Sequence, residues 1–475
     1  MRPGKLSLPG ISRRIARALA RWDRHLTPPR LLAGSFLLLI LVGAAGFLLL
    51  PGLYTGEPLG PLDSLFTSAS AVCVTGLVVA DTATRFTPFG QAYLLLLIQL
   101  GGLGIITLSS MIILALGGRL SLSHQAAAAA GSEVAPRIEF KHLIRNVVVF
   151  TLFFEAAGAL LLSLLWAGRF EGTDAVRHAI FHAVSAFCNA GFSSFSTSLS
   201  PFREDPAPLL IVAALILVGG IGFLTMEDLS LRARAGRHRE TSRLSLNTRL
   251  VVLATLVLVL GGSALFTLFE WDIAFRGFPA WAKPLNGFFM SVTARTAGFN
   301  TIDYFRASDS SILLTMILMF IGGSPGSTAG GVKTTTAGLL ALLLLSRLRG
   351  SRITNFHHRT IPDETIHRAV LLSVVAVALL ASAVFVLTAT EVGPVDHAAA
   401  RGSLTQFAFE AISAFNTVGL SIGETASLSS AGKAVVIFLM YVGRIGPLSL
   451  ASAVALRRKG TEAPFRFAYE DVAVG

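Results

Sequence analysis

Four segments that end in glycine carry the residues whose types and spacing could do chemistry. They are Ser-Ala-Val-Cys-Val-Thr-Gly76, Ser-Ala-Phe-Cys-Asn-Ala-Gly191, Val-Thr-Ala-Arg-Thr-Ala-Gly298 and Ser-Ala-Phe-Asn-Thr-Val-Gly419. Glycine admits backbone conformations that other residues resist, so neighbouring carbonyl oxygens can point the same way. Rings of such oxygens can replace the water around a dehydrated cation, as in potassium-channel filters. Because no Asp or Glu lies within six residues before any of these glycines, the pattern favours a monovalent cation over calcium or magnesium.

Further columns of residues repeat in register with these glycines, which are 115, 107 and 121 residues apart. A phenylalanine stands ten residues before each glycine, at Phe66, Phe181, Phe288 and Phe409. About 25 residues after each motif glycine comes a second glycine cluster, at Gly101-Gly102, Gly219-Gly220, Gly322-Gly323 and Gly443. A single glycine of this kind is more typical of close helix packing in a membrane bundle. The aligned set of four favours pore lining instead.

The composition places these segments in a membrane. The 475 residues are 53% hydrophobic and 14% charged, whereas soluble domains carry about 25% charged residues. Apolar runs such as 31–51, 91–116, 146–168 and 249–269 are long enough to cross a hydrocarbon layer of roughly 30 Å as helices. The basic N-terminal segment has no compelling small-residue cleavage site, so we do not expect a cleaved signal peptide. The two cysteines, Cys73 and Cys188, exclude a disulfide framework, and we expect them to pack behind the glycine segments rather than bind metal.

The distribution of positive charge predicts the topology. Lys and Arg number 8 in residues 1–30, 4 in 116–145, 6 in 226–249, 5 in 346–368 and 4 in 456–475, which is 27 of the 39. Such bias in short loops is the positive-inside pattern, so both termini and three loops should face the cytoplasm. Each stretch between basic segments then begins and ends on one side, which predicts parallel repeats and disfavours an inverted-repeat transporter plan.

These observations predict an all-α integral membrane protein of four parallel helix–pore-helix–filter–helix repeats around one pseudo-fourfold central pore. It would have eight full spans and four re-entrant pore helices, because the segments before the glycines are too short to span. The expected divisions are a basic cytoplasmic N-terminal segment (1–30), repeats at 31–118, 146–228, 249–346 and 369–456, cytoplasmic loops at 119–145, 229–248 and 347–368, and a cytoplasmic tail (457–475).

The second helix of the third repeat should be interrupted within the membrane. Residues 322–336 contain Pro325 and five glycines, Gly322, Gly323, Gly326, Gly330 and Gly331, and they cannot sustain a regular helix. Broken backbone at that depth needs protein or water around its freed polar groups. The segment is either a static kink or, as we favour, a mobile loop under the pore.

Three cations inside apolar regions need partners or water. Arg444 either pairs with a buried acid or forms a positive plug below the pore, which we favour, and Lys333 could act similarly. Arg295 would block the ion path if it pointed inward, so we expect its side chain behind the turn, with Glu155 or Glu410 as partner.

The four motifs 71–77, 185–193, 293–301 and 413–421 together resemble the Trk/Ktr/HKT family of potassium-translocating subunits, from about residue 31 to the C-terminus. The chain is most similar to the KtrB membrane subunits. Only a basic segment of thirty residues precedes the first repeat, Gly76 stands where many plant members have serine, and the tail ends in Tyr-Glu-Asp-Val-Ala-Val-Gly475. The resemblance implies a homodimer in the cell membrane, regulated by a cytosolic ring of nucleotide-binding KtrA-like subunits. We find no glycine-rich nucleotide fingerprint in this chain, so nucleotide would bind the partner.

By this resemblance, the potassium filter would be formed by Val74, Thr75, Gly76, Asn189, Ala190, Gly191, Thr296, Ala297, Gly298, Thr417, Val418 and Gly419. The gate would be formed by Gly322, Gly323, Gly326, Gly330, Gly331, Lys333 and Arg444. Potassium is the expected transported ion, membrane lipids are the expected surroundings, and neither an organic cofactor nor nucleic acid is expected.

The predicted function is potassium uptake by passive flow through a selective, gated pore. One alternative is a secondary transporter that couples potassium to sodium or protons, and another is a membrane scaffold that transports nothing. The sequence shows no catalytic His, Ser or Cys constellation, so we do not expect an enzyme.

Overall fold

The structure is a computed structural model that describes residues 28–104, 140–234, 244–396, 398–447 and 449–450. Several predicted parts lie outside these residues: most of the N-terminal segment and of the 119–145 loop, the ends of the first and fourth repeats (105–118 and 451–456), part of the 229–248 loop, and the C-terminal tail. The described part is helical except for one short antiparallel hairpin, in which β1 (Asn355–Phe356) pairs with β2 (Arg359–Thr360).

The helices fall into four groups that follow the same order along the chain. In chain order they are α1 (Pro28–Leu49), α2 (Pro61–Val72), α3 (Thr82–Arg85), α4 (Pro88–Leu103), α5 (Phe140–Trp166), α6 (Gly172–Phe187), α7 (Pro206–Ile221), α8 (Phe223–Arg234), α9 (Leu246–Glu270), α10 (Ala282–Thr293), α11 (Asp309–Phe320), α12 (Thr334–Leu348), α13 (Asp363–Glu391), α14 (Ser403–Phe415) and α15 (Ser430–Ile445). Single 3-10 turns lie at Ser200–Phe202 and Tyr304–Arg306.

Four of these helices, α1, α5, α9 and α13, are long and apolar enough to cross a membrane. Their apolar side chains face outward as well as inward: Leu164 is 67% exposed, Leu260 63% and Phe385 75%. Aliphatic and aromatic surface of this extent is stable against lipid tails and costly against water. The protein is therefore a helical membrane protein, and the four long helices form its periphery.

Each long helix is followed by a short helix, namely α2, α6, α10 or α14, that has 12 to 16 residues. About 20 residues are needed to span the hydrocarbon layer, so none of the four spans it alone. They are buried over most of their second half, and each ends directly before one of the four glycine motifs. The short helices therefore aim the glycine motifs at the interior of the bundle.

The helices after the glycine motifs end at a glycine in three of the four groups. The α4, α7 and α15 helices end at Gly104 (φ 75°, ψ 131°), Gly222 (φ 92°, ψ 141°) and Gly446 (φ 90°, ψ 135°). These matched left-handed conformations suit glycine because it lacks a Cβ atom, and at Gly222 the chain turns by 96° into α8. In the third group, residues 321–333 separate α11 from α12. An interruption was expected from the sequence in the third group only, and the helix ends at Gly104, Gly222 and Gly446 were not predicted.

Close helix packing explains three glycines of the second cluster. A Cβ atom added to Gly101, Gly219 or Gly443 would lie 2.0, 1.9 or 1.6 Å from the carbonyl oxygen of Val72, Phe187 or Phe415, respectively. Each of these carbonyls belongs to the last residue of the short helix in the same group. The glycines thus let the second helix lie directly against the end of the short helix, which fixes where the glycine motif begins.

We predict that Gly443→Ala lowers the thermal unfolding midpoint of the purified protein in detergent. The added methyl group overlaps the Phe415 carbonyl oxygen, and such overpacking costs about 1–3 kcal/mol. Gly261→Ala is the matched control, because it changes a helical glycine of α9 whose Cβ atom would meet nothing within 4 Å. Equal midpoints for the two variants would contradict the packing role of Gly443.

Candidate functional site

The four motif glycines, far apart in sequence, lie against one another in a closed ring. A Cβ atom added to any of them would meet the carbonyl oxygen of the residue that precedes the next glycine. The distance from the added Cβ atom to that oxygen is 2.4 Å for Gly76 and Ala190, 2.8 Å for Gly191 and Ala297, 2.4 Å for Gly298 and Val418, and 2.1 Å for Gly419 and Thr75. The cyclic order follows the chain, so a side chain at any of these positions would enter the space between two segments. We call residues 73–77, 188–192, 295–299 and 416–420 the glycine segments.

Each glycine segment contains two residues in the left-handed region of backbone conformation. One is the glycine itself, with φ between 69° and 94°. The other lies two residues earlier, where Val74, Asn189, Thr296 and Thr417 have φ of 56°, 57°, 67° and 51°. Three of these four are β-branched, for which positive φ is a strained outlier, at a cost of about 1–3 kcal/mol each. The sequence offered no glycine there to signal this conformation.

Hydroxyl groups at the end of the short helices hold the strained segments in place. Ser70 Oγ donates to the Leu77 carbonyl at 2.7 Å and accepts from Gly76 N at 3.1 Å. The equivalent donors to the carbonyl after the glycine are Ser185, at 2.7 Å, and Thr293, at 2.6 Å. In the fourth segment, Ser413 Oγ accepts from Gly419 N at 3.1 Å. Sequence reasoning missed these residues, although a hydroxyl residue five or six positions before each glycine could have revealed them.

The twelve predicted filter residues lie together in these segments, and their side chains face away from solvent. Val74, Thr75, Asn189, Ala190, Thr296, Ala297, Thr417 and Val418 are each at most 1% exposed. The hydroxyl oxygens of Thr75, Thr296 and Thr417 are buried and have no hydrogen-bond partner among the described residues. The oxygen-bearing groups of the glycine segments are thus backbone carbonyls, hydroxyls and amides, with no carboxylate among them.

A cavity of about 180 Å³ opens on one side of the ring. Its lining includes all four motif glycines, Phe192, Leu420 and Asp81. Both carboxylate oxygens of Asp81 are engaged locally, by Ala83 N at 2.9 Å and Thr84 Oγ1 at 3.1 Å. The cavity is large enough for several water molecules and leads directly onto the ring.

The interrupted segment 321–333 lies against the opposite side of the ring. Cβ atoms added to Gly330 and Gly331 would meet the side chains of Thr417 and Asn416 at 2.3 and 2.2 Å. The segment is bound to α7 through Ser324 N and the Gly220 carbonyl, 3.0 Å apart, and to α15 through Gly331 N and the Gly443 carbonyl, 3.3 Å apart. Of the five predicted gate glycines, Gly322, Gly330 and Gly331 thus lie against the glycine segments, whereas Cβ atoms added to Gly323 and Gly326 would meet other residues, such as Ala329 and Leu224.

Arg444 joins this interrupted segment to a second helix. Its guanidinium donates to the Thr328 carbonyl and, at 2.6 Å, to the Gly101 carbonyl at the end of α4, and it lies 5.8 Å from the ring centre of Phe36. Among the described residues, its hydrogen-bond partners are carbonyl oxygens and not a buried carboxylate. Lys333 Nζ donates to the Ala329 carbonyl at 2.8 Å, within the interrupted segment.

Neither acid proposed from the sequence is the partner of Arg295. The Arg295 side chain is buried behind the third glycine segment, and Nη2 lies 3.5 Å from Thr255 Oγ1. Glu155 instead accepts from Gln99 Nε2 at 3.1 Å, because it lies on α5 against α4. Glu410 is occupied by residues that follow the fourth glycine segment.

The two cysteines are buried and unpaired, Cys188 within 3.7 Å of Glu155. The described residues contain no group of three or more His, Cys, Asp or Glu residues that could hold a metal ion.

Comparison with known proteins identifies the family of the chain. The family model described as TrkH, cation transport protein, matches residues 36–460. The chain is 36% identical over 443 residues to Ktr system potassium uptake protein B of Bacillus subtilis, covering 92% of this chain and 94% of the relative. It is 34% identical over 457 residues to potassium/sodium uptake protein NtpJ of Enterococcus hirae, covering 96% and 99%.

The fold is similar to a solved structure. The crystal structure of the potassium transporter TrkH from Vibrio parahaemolyticus matches with a TM-score of 0.68 at 21% identity, over 89% of this chain and 83% of that chain. The family model covers most of the sequence, and relatives above 30% identity extend over almost its whole length. The chain belongs to the TrkH family of cation transport proteins, which are transporters and not enzymes.

Proposed function

We propose that this protein takes up potassium through a pore whose narrowest part is the ring of glycine segments. The observation that carries the proposal is the closed contact of Gly76, Gly191, Gly298 and Gly419, each against the carbonyl that precedes the next. The twelve filter residues predicted from the sequence would supply the ring of oxygens. The relatives named as potassium uptake proteins B and NtpJ support this choice of ion.

The proposed architecture is four parallel repeats, each with a long outer helix, a re-entrant pore helix, a filter segment and an inner helix. The C-terminal ends of the four short helices carry partial negative charge and lead into the filter segments. They favour a cation at the ring without the charge of an acidic side chain, which suits one positive charge better than two. The four long outer helices would be four of the eight spans, and the four inner helices, although interrupted, would be the other four.

The proposed gate is the interrupted segment 321–333 held by Arg444. This segment contacts the filter side chains Thr296 and Thr417 from below. The Arg444 guanidinium fastens it to α4 through two carbonyls, and its charge opposes a cation that leaves the filter. Opening would require those hydrogen bonds to break and the segment to move aside.

The assembly we propose is a homodimer in the plasma membrane, with both termini in the cytoplasm and a KtrA-like nucleotide-binding ring as regulator. The "Ktr system" in the relatives' names supports a further subunit.

A second candidate is uptake of potassium coupled to sodium, which the name of the potassium/sodium uptake protein NtpJ favours. We expect the reversal potential of purified protein in lipid bilayers to follow the potassium gradient alone. A bilayer with the protein omitted gives the background. A reversal potential that shifts with the sodium gradient at fixed potassium would favour the coupled mechanism instead.

We predict that Gly298→Ser and Gly419→Ser each lower discrimination of potassium over sodium by at least tenfold, about 1.4 kcal/mol. The new side chain must enter the ring at a φ of 79° or 91°, so it displaces the carbonyls that face the ion. The measurement is flux of each ion into liposomes that contain purified protein.

Gly393→Ser is the control for backbone strain, because Gly393 also has positive φ (71°) but a Cβ atom there would meet nothing within 4 Å. Unchanged ion preference in both ring variants would refute the filter.

Substitution of Arg444 separates two ways in which it could restrict flux. Arg444→Ala should raise potassium flux several-fold, because it removes both the positive charge and the hydrogen bonds to the Thr328 and Gly101 carbonyls. Arg444→Lys keeps the charge but not the planar fork, so it should retain low flux if charge dominates and raise flux if the two carbonyl bonds dominate. If flux in both variants equals that of the native protein in the same liposomes, Arg444 has no gating role.

A further inference from the structure

Glu410 of α14 binds the chain that leaves the fourth glycine segment. One carboxylate oxygen, Oε1, accepts from Ser421 Oγ and, at 3.2 Å, from Ile422 N. The other, Oε2, accepts from Thr425 Oγ1 at 2.7 Å. Glu410 is completely buried, and burial of a carboxylate is costly unless donors satisfy it. The three donors meet that requirement, and all three come from the residues directly after the ring.

His182 of α6 makes the equivalent contact in the second group. Its Nε2 lies 2.9 Å from Ser193 Oγ, and its Nδ1 lies 2.8 Å from the His178 carbonyl. Because a carbonyl oxygen only accepts, Nδ1 carries the proton, and in the neutral ring Nε2 accepts from the Ser193 hydroxyl. His182 is also completely buried.

The two contacts occupy the same positions relative to the ring. Glu410 and His182 each stand nine residues before the motif glycine, and Ser421 and Ser193 each stand two residues after it. The local turn is the same too: Ser421 Oγ accepts from Gly423 N at 2.9 Å, and Ser193 Oγ accepts from Phe195 N at 3.0 Å.

The first and third groups have no such pair at these positions. Thr67 and Val78 stand there in the first, and Phe289 and Asn300 in the third. Val78 and Phe289 have no polar side-chain atom, and the Asn300 amide instead donates to the Ile302 carbonyl at 3.0 Å. Because the ring order follows the chain, the paired groups lie opposite each other.

We propose that Glu410–Ser421 and His182–Ser193 are positioning pairs that hold two opposite filter segments and thereby set ion selectivity. The inference rests on the proposed filter. Thr417 and Asn189 have positive φ, and such conformations persist only where surrounding contacts over-determine them. Each pair fixes the chain just beyond the ring to the short helix just before it, so the carbonyls between are held at both ends. A carbonyl ring that relaxes fits the smaller sodium ion as readily as potassium.

The test is the potassium-to-sodium flux ratio of purified variants in liposomes. Ser421→Ala removes the hydroxyl and leaves Ile422 and Thr425 bound to Glu410, so the fold is retained. We expect the ratio to fall about fivefold, which corresponds to about 1 kcal/mol, the net size of one hydrogen bond. Ser193→Ala should have a similar effect. Val78→Ala, at the same position of an unpaired group, should leave the ratio unchanged.

Two further variants separate positioning from general stability. Ser421→Thr keeps the hydroxyl and should restore selectivity, whereas loss of stability alone would change the thermal midpoint without changing the flux ratio. In Glu410→Gln, an amide NH₂ replaces one accepting oxygen, and adding Ser421→Ala should lower the ratio no further, because the two side chains act as a unit. If the flux ratio of the double variant falls by the product of the two single-variant effects, the two side chains act independently and the pairing is overturned.

Gly419→Ser in the same assay distinguishes the two levels of failure. If it lowers the ratio while Ser421→Ala and Ser193→Ala do not, the positioning pairs are refuted and the filter stands. If Gly419→Ser and Gly298→Ser both leave the ratio unchanged, the filter itself is refuted.

Discussion

The structure depends on the direct approach of four backbone segments to one another, with no side chain between them. Each motif glycine lies within van der Waals distance of the carbonyl that precedes the next, so the ring can close only where Cβ atoms are missing. A ring of this kind presents oxygen atoms whose spacing is set by the backbone. The rest of the fold must then supply the positional accuracy that side-chain interdigitation supplies in an ordinary core.

That accuracy comes from a layered arrangement around each glycine segment. The short helix brings the chain to the centre and ends there, and a glycine such as Gly219 lets the following helix lie against its last carbonyl. A hydroxyl such as Ser185 then closes the turn by binding the carbonyl beyond the glycine. Three of the four residues that stand two positions before the glycines are β-branched and resist positive φ. The contacts on both sides are therefore needed to keep the segments in one conformation.

The four groups share this framework but differ where regulation and selectivity would be placed. Arg444 stands at the position of Gly102 and Gly220 in the second glycine cluster, and its guanidinium reaches the third group's interrupted segment and the first group's α4. Arg295 stands where Cys73, Cys188 and Asn416 stand in the other groups, three residues before the glycine. Because single positions such as these differ between otherwise similar groups, one group could serve as the proposed gate while the others keep the ring intact.

The sequence by itself determined the membrane class, the family and the residues that meet at the ring, because hydropathy, charge bias and repeated glycines are local signals of a global constraint. It also located the interruption at 322–336, since five glycines and Pro325 cannot continue a helix. Only the tertiary structure decided the helix ends at Gly104, Gly222 and Gly446, the strain at Val74 and Thr417, and the partners of Arg295, Glu155 and Glu410. Those features depend on which atoms from distant parts of the chain fill the same space. The spacing of residues along the chain does not show which of these distant atoms come into contact.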